Sequence, residues 1–66
     1  MRSETVERVL TNLADSHDPV TRMLALFVIG EESPRQIFIP IIQRRLDDES
    51  PSVRELAEYA LKRTMN

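Results

Sequence analysis

The longest hydrophobic segment of the chain is a run of seven apolar residues at 23–29. Continuous apolarity over this length fits a buried strand or a buried helix, so the flanking residues have to decide between the two. Asp18 and Pro19, immediately before the run, are typical of a helix N-terminus, and Gly30, the only glycine, is typical of a helix end. The pattern therefore predicts a helix over 19–29 that is buried on nearly every side.

The segment before this helix is apolar on one side only. Ser3 is a favoured N-cap residue, and Glu4 follows it in the first turn, where an acidic side chain complements the helix dipole. Apolar residues then recur at i, i+3, i+4 and i+7, which predicts a one-faced helix over about 4–14. The apolar stripe consists of Val6, Val9, Leu10 and Leu13. A polar turn at 15–18 follows, in which we expect His17 to cap a helix or to be exposed.

A third helix is predicted to begin at 33–36, where the residues Ser-Pro-Arg-Gln have the form of a capping box with proline at the first helical position. Apolar residues at 37–42 follow this signal. Pro40 lies beyond the first predicted turn, where it removes a backbone hydrogen bond and crowds the carbonyl of Gln36. We expect a bend, or a first turn in 3₁₀ conformation, without a break in the helix.

Ser50 and Pro51 repeat the combination of cap residue and proline, and they predict a final helix over about 51–64. Its apolar face consists of Val53, Leu56, Ala57, Ala60, Leu61 and Thr64. On the opposite face, ion pairs at i,i+4 are expected between Arg54 and Glu58 and between Glu58 and Lys62. Tyr59 lies outside the apolar face, so its ring either packs against the end of a neighbouring helix or is exposed.

The chain contains an internal repeat. Residues 19–27 align without gaps on residues 51–59, offset by 32 positions, with proline, arginine, leucine and alanine recurring in register. A shift of one residue in the loop then aligns Val6, Val9 and Leu13 with Ile39, Ile42 and Leu46. The repeating unit is a helix pair, so the prediction is an all-α domain over 1–66. Its two antiparallel pairs span about 3–31 and 33–65, with the second and third helices central.

The second copy resembles a known repeat family. Residues 39–61 fit, almost position for position, the pattern V-P-x-L-x-x-x-L-x-D-x-D-P-x-V-R-x-x-A-x-x-A-L of the HEAT-like repeat, in the short form found in phycobilisome lyase proteins and their relatives. The first copy departs from this pattern at Thr21, Leu26 and Val28, and the segment 30–40 is about one helical turn longer than the pattern. The resemblance implies an α-α superhelix whose surface, and not its fold, determines what it binds.

The resemblance also implies a structural role for the aspartates and arginines of the turns. In the second copy, Asp48 is expected to pair with Arg54. In the first copy, Asp15 or Asp18 is expected to pair with Arg22. These charged hydrogen bonds would form a ladder that links the inter-helix turns of neighbouring repeats.

Composition narrows the classes of function. Nine basic and eleven acidic residues give a net charge of −2 without a basic block, which disfavours a dedicated nucleic-acid-binding domain. The chain has no cysteine and one histidine, and its longest apolar run is far below the roughly 18 residues of a membrane span. The acidic clusters at 31–32 and 47–49 are interpreted as solvated turns, and Arg44 and Arg45 as partners of a helix dipole. We therefore expect a cytoplasmic protein that is not an enzyme, with no cofactor, no metal and no membrane contact.

Two function hypotheses remain. The first is a protein-interaction module, and the second is an accessory nucleic-acid-binding or enzyme-linked helical-repeat domain. The first is favoured because helical-pair repeats bury their apolar faces against neighbours and about three are usually needed for stability, whereas this chain holds two. One candidate partner is a second copy of the chain, and a self-sufficient monomer is the alternative. The residues expected to bind a partner are Glu7, Thr11, Gln43 and Arg44 on a shallow concave face, and Tyr59, Leu61 and Met65 on the last helix.

Overall fold

The chain is helical throughout the part that the computed structural model describes, which is residues 3–66, with side chains from residue 4 onward. Four α-helices, no strand and one 3₁₀ segment lie within this range, which confirms the predicted fold class. The helices are α1 (Ser3–Ala14), α2 (Pro19–Glu32), α3 (Ile39–Arg45) and α4 (Pro51–Met65), and the 3₁₀ segment Gln36–Phe38 leads into α3. The capping role expected of the Ser3 side chain lies outside the described residues.

Helix α2 begins as its sequence predicts and ends later. Asp18 Oδ2 accepts hydrogen bonds from the Thr21 backbone N–H at 3.1 Å and from the Thr21 hydroxyl at 2.7 Å, and Pro19 opens the helix. The expected end at Gly30 is wrong, because the helix continues to Glu32 and the Ser33 N–H closes its last turn on the Ile29 carbonyl at 3.2 Å. Gly30 does not have a positive φ, so its role is not that of a left-handed C-cap.

Gly30 instead makes room for a side chain of α4. A Cβ atom placed on Gly30 would lie 2.6 Å from Cε2 of Tyr59, closer than two carbon atoms can pack. The Tyr59 ring also stacks on Phe27, with centroids 6.4 Å apart and an interplanar angle of 18°. Tyr59 therefore packs against the C-terminal end of α2, which confirms the first of the two positions considered for it.

The apolar run of α2 is not buried on all sides, which corrects the prediction from its continuity. Ala25, Leu26 and Ile29 are buried, whereas Leu24 is 60% exposed and Phe27 49% exposed. The physical reason is that only one face of α2 has neighbours. It packs against α1 and, most extensively, against α4, and no described element covers the opposite face.

The apolar stripe of α1 is also rotated relative to the prediction. Leu10 and Ala14 are buried and Val6 packs against the core, but Val9 and Leu13 are 45% and 41% exposed. The buried line therefore runs i, i+4, i+8 through Val6, Leu10 and Ala14. Because Ala14 is small, its position at the end of the pattern did not mark it as a core residue.

The segment before α3 confirms the 3₁₀ conformation expected near Pro40. The Phe38 N–H bonds to the Arg35 carbonyl at 3.0 Å, and Pro40 lies in the first turn of α3, where its missing N–H costs no helical hydrogen bond. The capping box predicted here is wrong, because Ser33 closes the end of α2 and no side chain caps the 3₁₀ segment.

The core is shared between both helix pairs. Its largest fully buried side chains are Phe38, Leu26, Ile29, Ile41, Ile42 and Val53. On α4, Ala57 and Ala60 are fully buried on the predicted face. The expectation that the second and third helices are central is wrong, since the most extensive contact joins α2 to α4 while α3 has only seven residues.

The two ion pairs expected along α4 are absent from the described residues. Arg54 donates instead from Nη1 to the backbone carbonyl of Asp48 at 2.6 Å. The hydrogen bond of Arg54 to the preceding turn thus takes the place of its expected pair with Glu58, an exposed contact that would contribute only a few tenths of a kcal/mol.

Candidate interaction surface and the turn network behind it

Arg22 connects the inter-helix turns of the two repeats. Its side chain is buried, and Nη1 donates to the carbonyls of Ser16 and His17 at 2.8 and 2.9 Å, in the turn that precedes α2. On its other edge Nη2 donates to Asp48 Oδ1 at 3.0 Å, and Nε lies 3.0 Å from Oδ2 without hydrogen-bond alignment. One guanidinium therefore holds the turn before α2 against the turn before α4.

Asp48 is the buried anion of this network. Burial raises the pKa of its carboxyl group, but the hydrogen bond from the Ser50 N–H at 2.9 Å and the Arg22 guanidinium outweigh that effect and hold the pKa below its usual value. Arg45 adds a further positive charge, with Nη1 3.4 Å from Oδ2. The carboxylate is thus ionised at neutral pH and fully partnered.

The internal repeat is visible in the geometry of these turns. Arg54 donates to the carbonyl six positions before it, as Arg22 does to that of Ser16. Likewise Ser16 Oγ accepts from the Asp18 N–H at 3.2 Å, and Asp48 Oδ1 accepts from the Ser50 N–H at 2.9 Å. At this acceptor position the first repeat has a serine hydroxyl and the second repeat has a carboxylate.

The aspartates of the first turn have partners other than the expected one. Asp18 accepts from Thr21, and the hydrogen bond from the Thr21 hydroxyl is the main cause of its lowered pKa. Asp15 lies 3.6 Å from Arg45. Arg22 pairs with neither of them, and Arg54 contacts the carbonyl of Asp48 and not its carboxylate. Instead of a pair within each copy, the structure has one buried pair between the copies, Arg22 with Asp48. Their separation in sequence gave no indication of this contact.

Charges of both signs line the surface beside this network. A depression beside it is lined by Arg22, Arg44, Arg45, Asp47, Asp48 and Glu49, so three positive side chains face three negative ones. Among the residues whose side chains are described, no three histidine, aspartate or glutamate side chains lie together as a metal site requires. In the same range, no helix has both the length and the apolarity needed to cross a membrane.

The exposed apolar side chains concentrate on the first helix pair. Within the described side chains, six of the eight large hydrophobic residues that are exposed belong to α1 or α2. Four of them form what we term the outer α2 stripe: Val20 (58% exposed), Leu24 (60%), Phe27 (49%) and Val28 (36%). Their spacing of i, i+4, i+7 and i+8 places them on one face of α2, opposite the buried Ala25 and Ile29. This helix is therefore apolar on a face that its own domain leaves exposed.

Helix α1 contributes Val9 and Leu13 to the exposed apolar surface. On α1, Glu7 projects to one side of the buried line and forms an ion pair with Arg35, from the segment that precedes α3. Val9 and Leu13 lie on the other side of that line, by the 100° rotation of successive helical residues. They therefore face away from the second helix pair.

The residues predicted from sequence to bind a partner have different environments. On the expected concave face, Glu7 and Thr11 are half-buried, and Gln43 and Arg44 are exposed. On α4, Tyr59 and Leu61 are half-buried, and Met65 is 69% exposed. The sequence interpretation missed the outer α2 stripe because it assigned the whole run 23–29 to the core. The i, i+4, i+7, i+8 spacing from Val20 was the signal that could have identified it.

Comparison with known families identifies part of this architecture. A family model described as a HEAT repeat associated with sister chromatid cohesion matches residues 32–57. This segment is HEAT-like. The match runs from the last residue of α2 into α4 and includes Asp48 and Arg54. It supports a HEAT-like repeat and does not confirm the phycobilisome-lyase type. Comparisons with curated proteins and with solved structures give no significant match.

Proposed function

We propose that this domain is a non-catalytic protein-interaction module, an adaptor or oligomerising scaffold of HEAT-like repeats, that binds a protein partner through the first helix pair. The observation that supports this is the outer α2 stripe. Contiguous exposed apolar side chains on small domains mark binding surfaces, because water contact with them is unfavourable and a partner relieves it. Helical repeats bury such faces against a neighbouring repeat, and the described residues provide none on this side of α2.

The partner class proposed is protein and not nucleic acid. The net charge is −2. Three arginines at the turns, Arg22, Arg45 and Arg54, are held by Asp48, by Asp15 or by backbone carbonyls, so these three are not free to follow phosphates. The matched family is described as associated with sister chromatid cohesion. For this chain we propose only the general role that such a repeat supports, which is the binding of another protein.

The test compares two exposed apolar residues of similar exposure. Leu24 is 60% exposed on the outer α2 stripe, and Ile37 is 57% exposed outside the first helix pair. The wild-type chain and the variants Leu24→Ser and Ile37→Ser are immobilised and incubated with native lysate, after circular dichroism has shown equal helix content. We expect a protein retained by the wild type and by Ile37→Ser to be lost with Leu24→Ser. Retention that is the same for all three chains would contradict the proposal.

A further inference from the structure

The contact between α4 and α2 shows how one repeat binds the next in this fold. From α4, the Tyr59 ring lies against Gly30, and Arg63 Nε donates to the Gly30 carbonyl at 3.1 Å. Leu56 packs against the shared core from the same helix. These three side chains, spaced i, i+3 and i+7, form the side of α4 that faces α2.

The same side of α2 carries equivalent side chains that the domain leaves exposed, although Phe27 also contacts the Tyr59 ring. The 32-residue offset of the repeat places Leu24, Phe27 and Glu31 where α4 has Leu56, Tyr59 and Arg63. Leucine is conserved between the copies, one aromatic ring replaces another, and arginine is replaced by glutamate. All three are exposed on α2. Helix α2 therefore presents a surface of the kind that binds a preceding repeat.

The complementary surface is the far side of α4. There the offset places Arg54, Leu61 and Lys62 where α2 has Arg22, Ile29 and Gly30. The arginine is retained and one aliphatic residue replaces another. Lys62 is equivalent to Gly30, whose carbonyl accepts the hydrogen bond from Arg63 within the chain. The charge reversal at Glu31 is thus matched by an exposed lysine at the position that would face it.

Arg54 supports the same pairing. Arg22 uses Nη1 for its own turn and the opposite edge of its guanidinium for the following repeat, at Asp48. Arg54 uses Nη1 in the same way, and among the described residues its Nε and Nη2 make no hydrogen bond. The position equivalent to Asp48 in a following repeat would be Ser16, beside the exposed carboxylate of Asp15.

We propose that the outer α2 stripe of one chain binds the far side of α4 of a second copy, head to tail, with Glu31 beside Lys62 of the second copy. This inference rests on the proposed function and names its partner. The contact uses two different surfaces, so each added copy leaves one of each free and the assembly grows as an open chain of repeats. The contact should be weak, because Lys62 fits the aromatic ring less closely than Gly30 does, so association should appear only at high protein concentration.

The experiment measures the average mass of the purified full chain by sedimentation equilibrium from about 10 µM to about 1 mM. For the wild type we expect a mass that rises continuously beyond the dimer. Glu31→Lys and Lys62→Glu each place like charges together, and each should weaken association about five- to tenfold. The double variant should recover association to within about twofold of the wild type. Glu4→Lys, which makes the same charge change as Glu31→Lys at an exposed position of α1 outside both surfaces, is the control that should leave association unchanged.

A strict monomer at the highest concentration would overturn the inference, as would association that neither single charge reversal weakens. The second result would indicate a symmetric contact through the stripe alone. These outcomes are separate from failure of the proposed function. If the purified chain stays monomeric while Leu24→Ser still abolishes capture of another protein, the self-association is rejected and the interaction function stands.

Discussion

Arg22 and Asp48 form a buried ion pair between the two repeats, 26 positions apart in sequence, with Nη2 3.0 Å from Oδ1. Arg54 occupies the equivalent position of the second repeat, yet it is half-buried and reaches only a backbone carbonyl. The same residue type therefore has two different energetic roles. Removing one member of a buried pair leaves an uncompensated charge, whereas removing Arg54 leaves a carbonyl that water can reach in part.

Substitution of the two arginines by alanine should therefore have unequal effects. We expect Arg22→Ala to lower the free energy of unfolding by about 3 kcal/mol, a large share of the stability of a small domain. Arg54→Ala should lower it by about 1 kcal/mol. Urea unfolding followed by circular dichroism measures both. Equal losses would mean that Asp48 does not depend on Arg22 for compensation.

The stability of the domain should fall in acid because of Asp48. Its pKa is lower in the folded chain than in the unfolded chain, so the unfolded state takes up a proton first as the pH falls. The stabilisation is fully present above the unfolded pKa of about 4 and is lost as the pH falls through the folded value. Asp18, whose pKa is also lowered, acts in the same direction.

Melting temperatures of the wild type and of Asp48→Asn between about pH 7 and about pH 3 test this assignment. The variant should be less stable at neutral pH, and its melting temperature should change less with pH. Asp18→Asn is the matched comparison, because Asp18 is exposed and its partners are the backbone N–H and the hydroxyl of Thr21. An identical acid profile for wild type and Asp48→Asn would show that Asp48 is not the group that titrates.

Gly30→Ala should destabilise the wild-type domain, although alanine is the better helix former. Alanine in a helix is favoured over glycine by about 1 kcal/mol, but its Cβ would lie 2.6 Å from Tyr59 Cε2. The ring must move from its place on α2, and we expect a net loss of about 1 kcal/mol. In a Tyr59→Ala background the clash is absent, so the same substitution should stabilise by about 1 kcal/mol. A stabilising effect in both backgrounds would show that the ring yields without cost.

Aspartate placed at two apolar positions should distinguish the core from the outer α2 stripe. Ile42 is fully buried, so Ile42→Asp introduces a charge without a partner and should unfold the domain. Leu24 is 60% exposed, so Leu24→Asp should change the free energy of unfolding by less than about 1 kcal/mol and leave the helical spectrum intact. Loss of helix in both variants would place Leu24 in the core.

The burial of individual apolar residues was the least predictable part of the fold. Continuity in the run 23–29 predicted burial of the whole segment, and half of the first helix stripe was assigned to the wrong side. Residue type and spacing report that a side chain is apolar, but burial depends on whether another helix covers it. Among the described residues, no helix covers one side of α2. For that reason, the stripe we propose as a binding surface was first interpreted as core.

What the sequence determined by itself is the local structure and its repetition. Asp18, Pro19 and Pro51 mark the starts of α2 and α4 because capping and the restricted φ of proline act within a single turn. The 32-residue offset predicted that the helix pair is the repeating unit. Only the tertiary structure decided that Gly30 leaves space for the Tyr59 ring of α4 and that Arg22 pairs with Asp48. Both depend on where the second repeat docks, and docking is set by the packing of whole helix faces over long sequence separations.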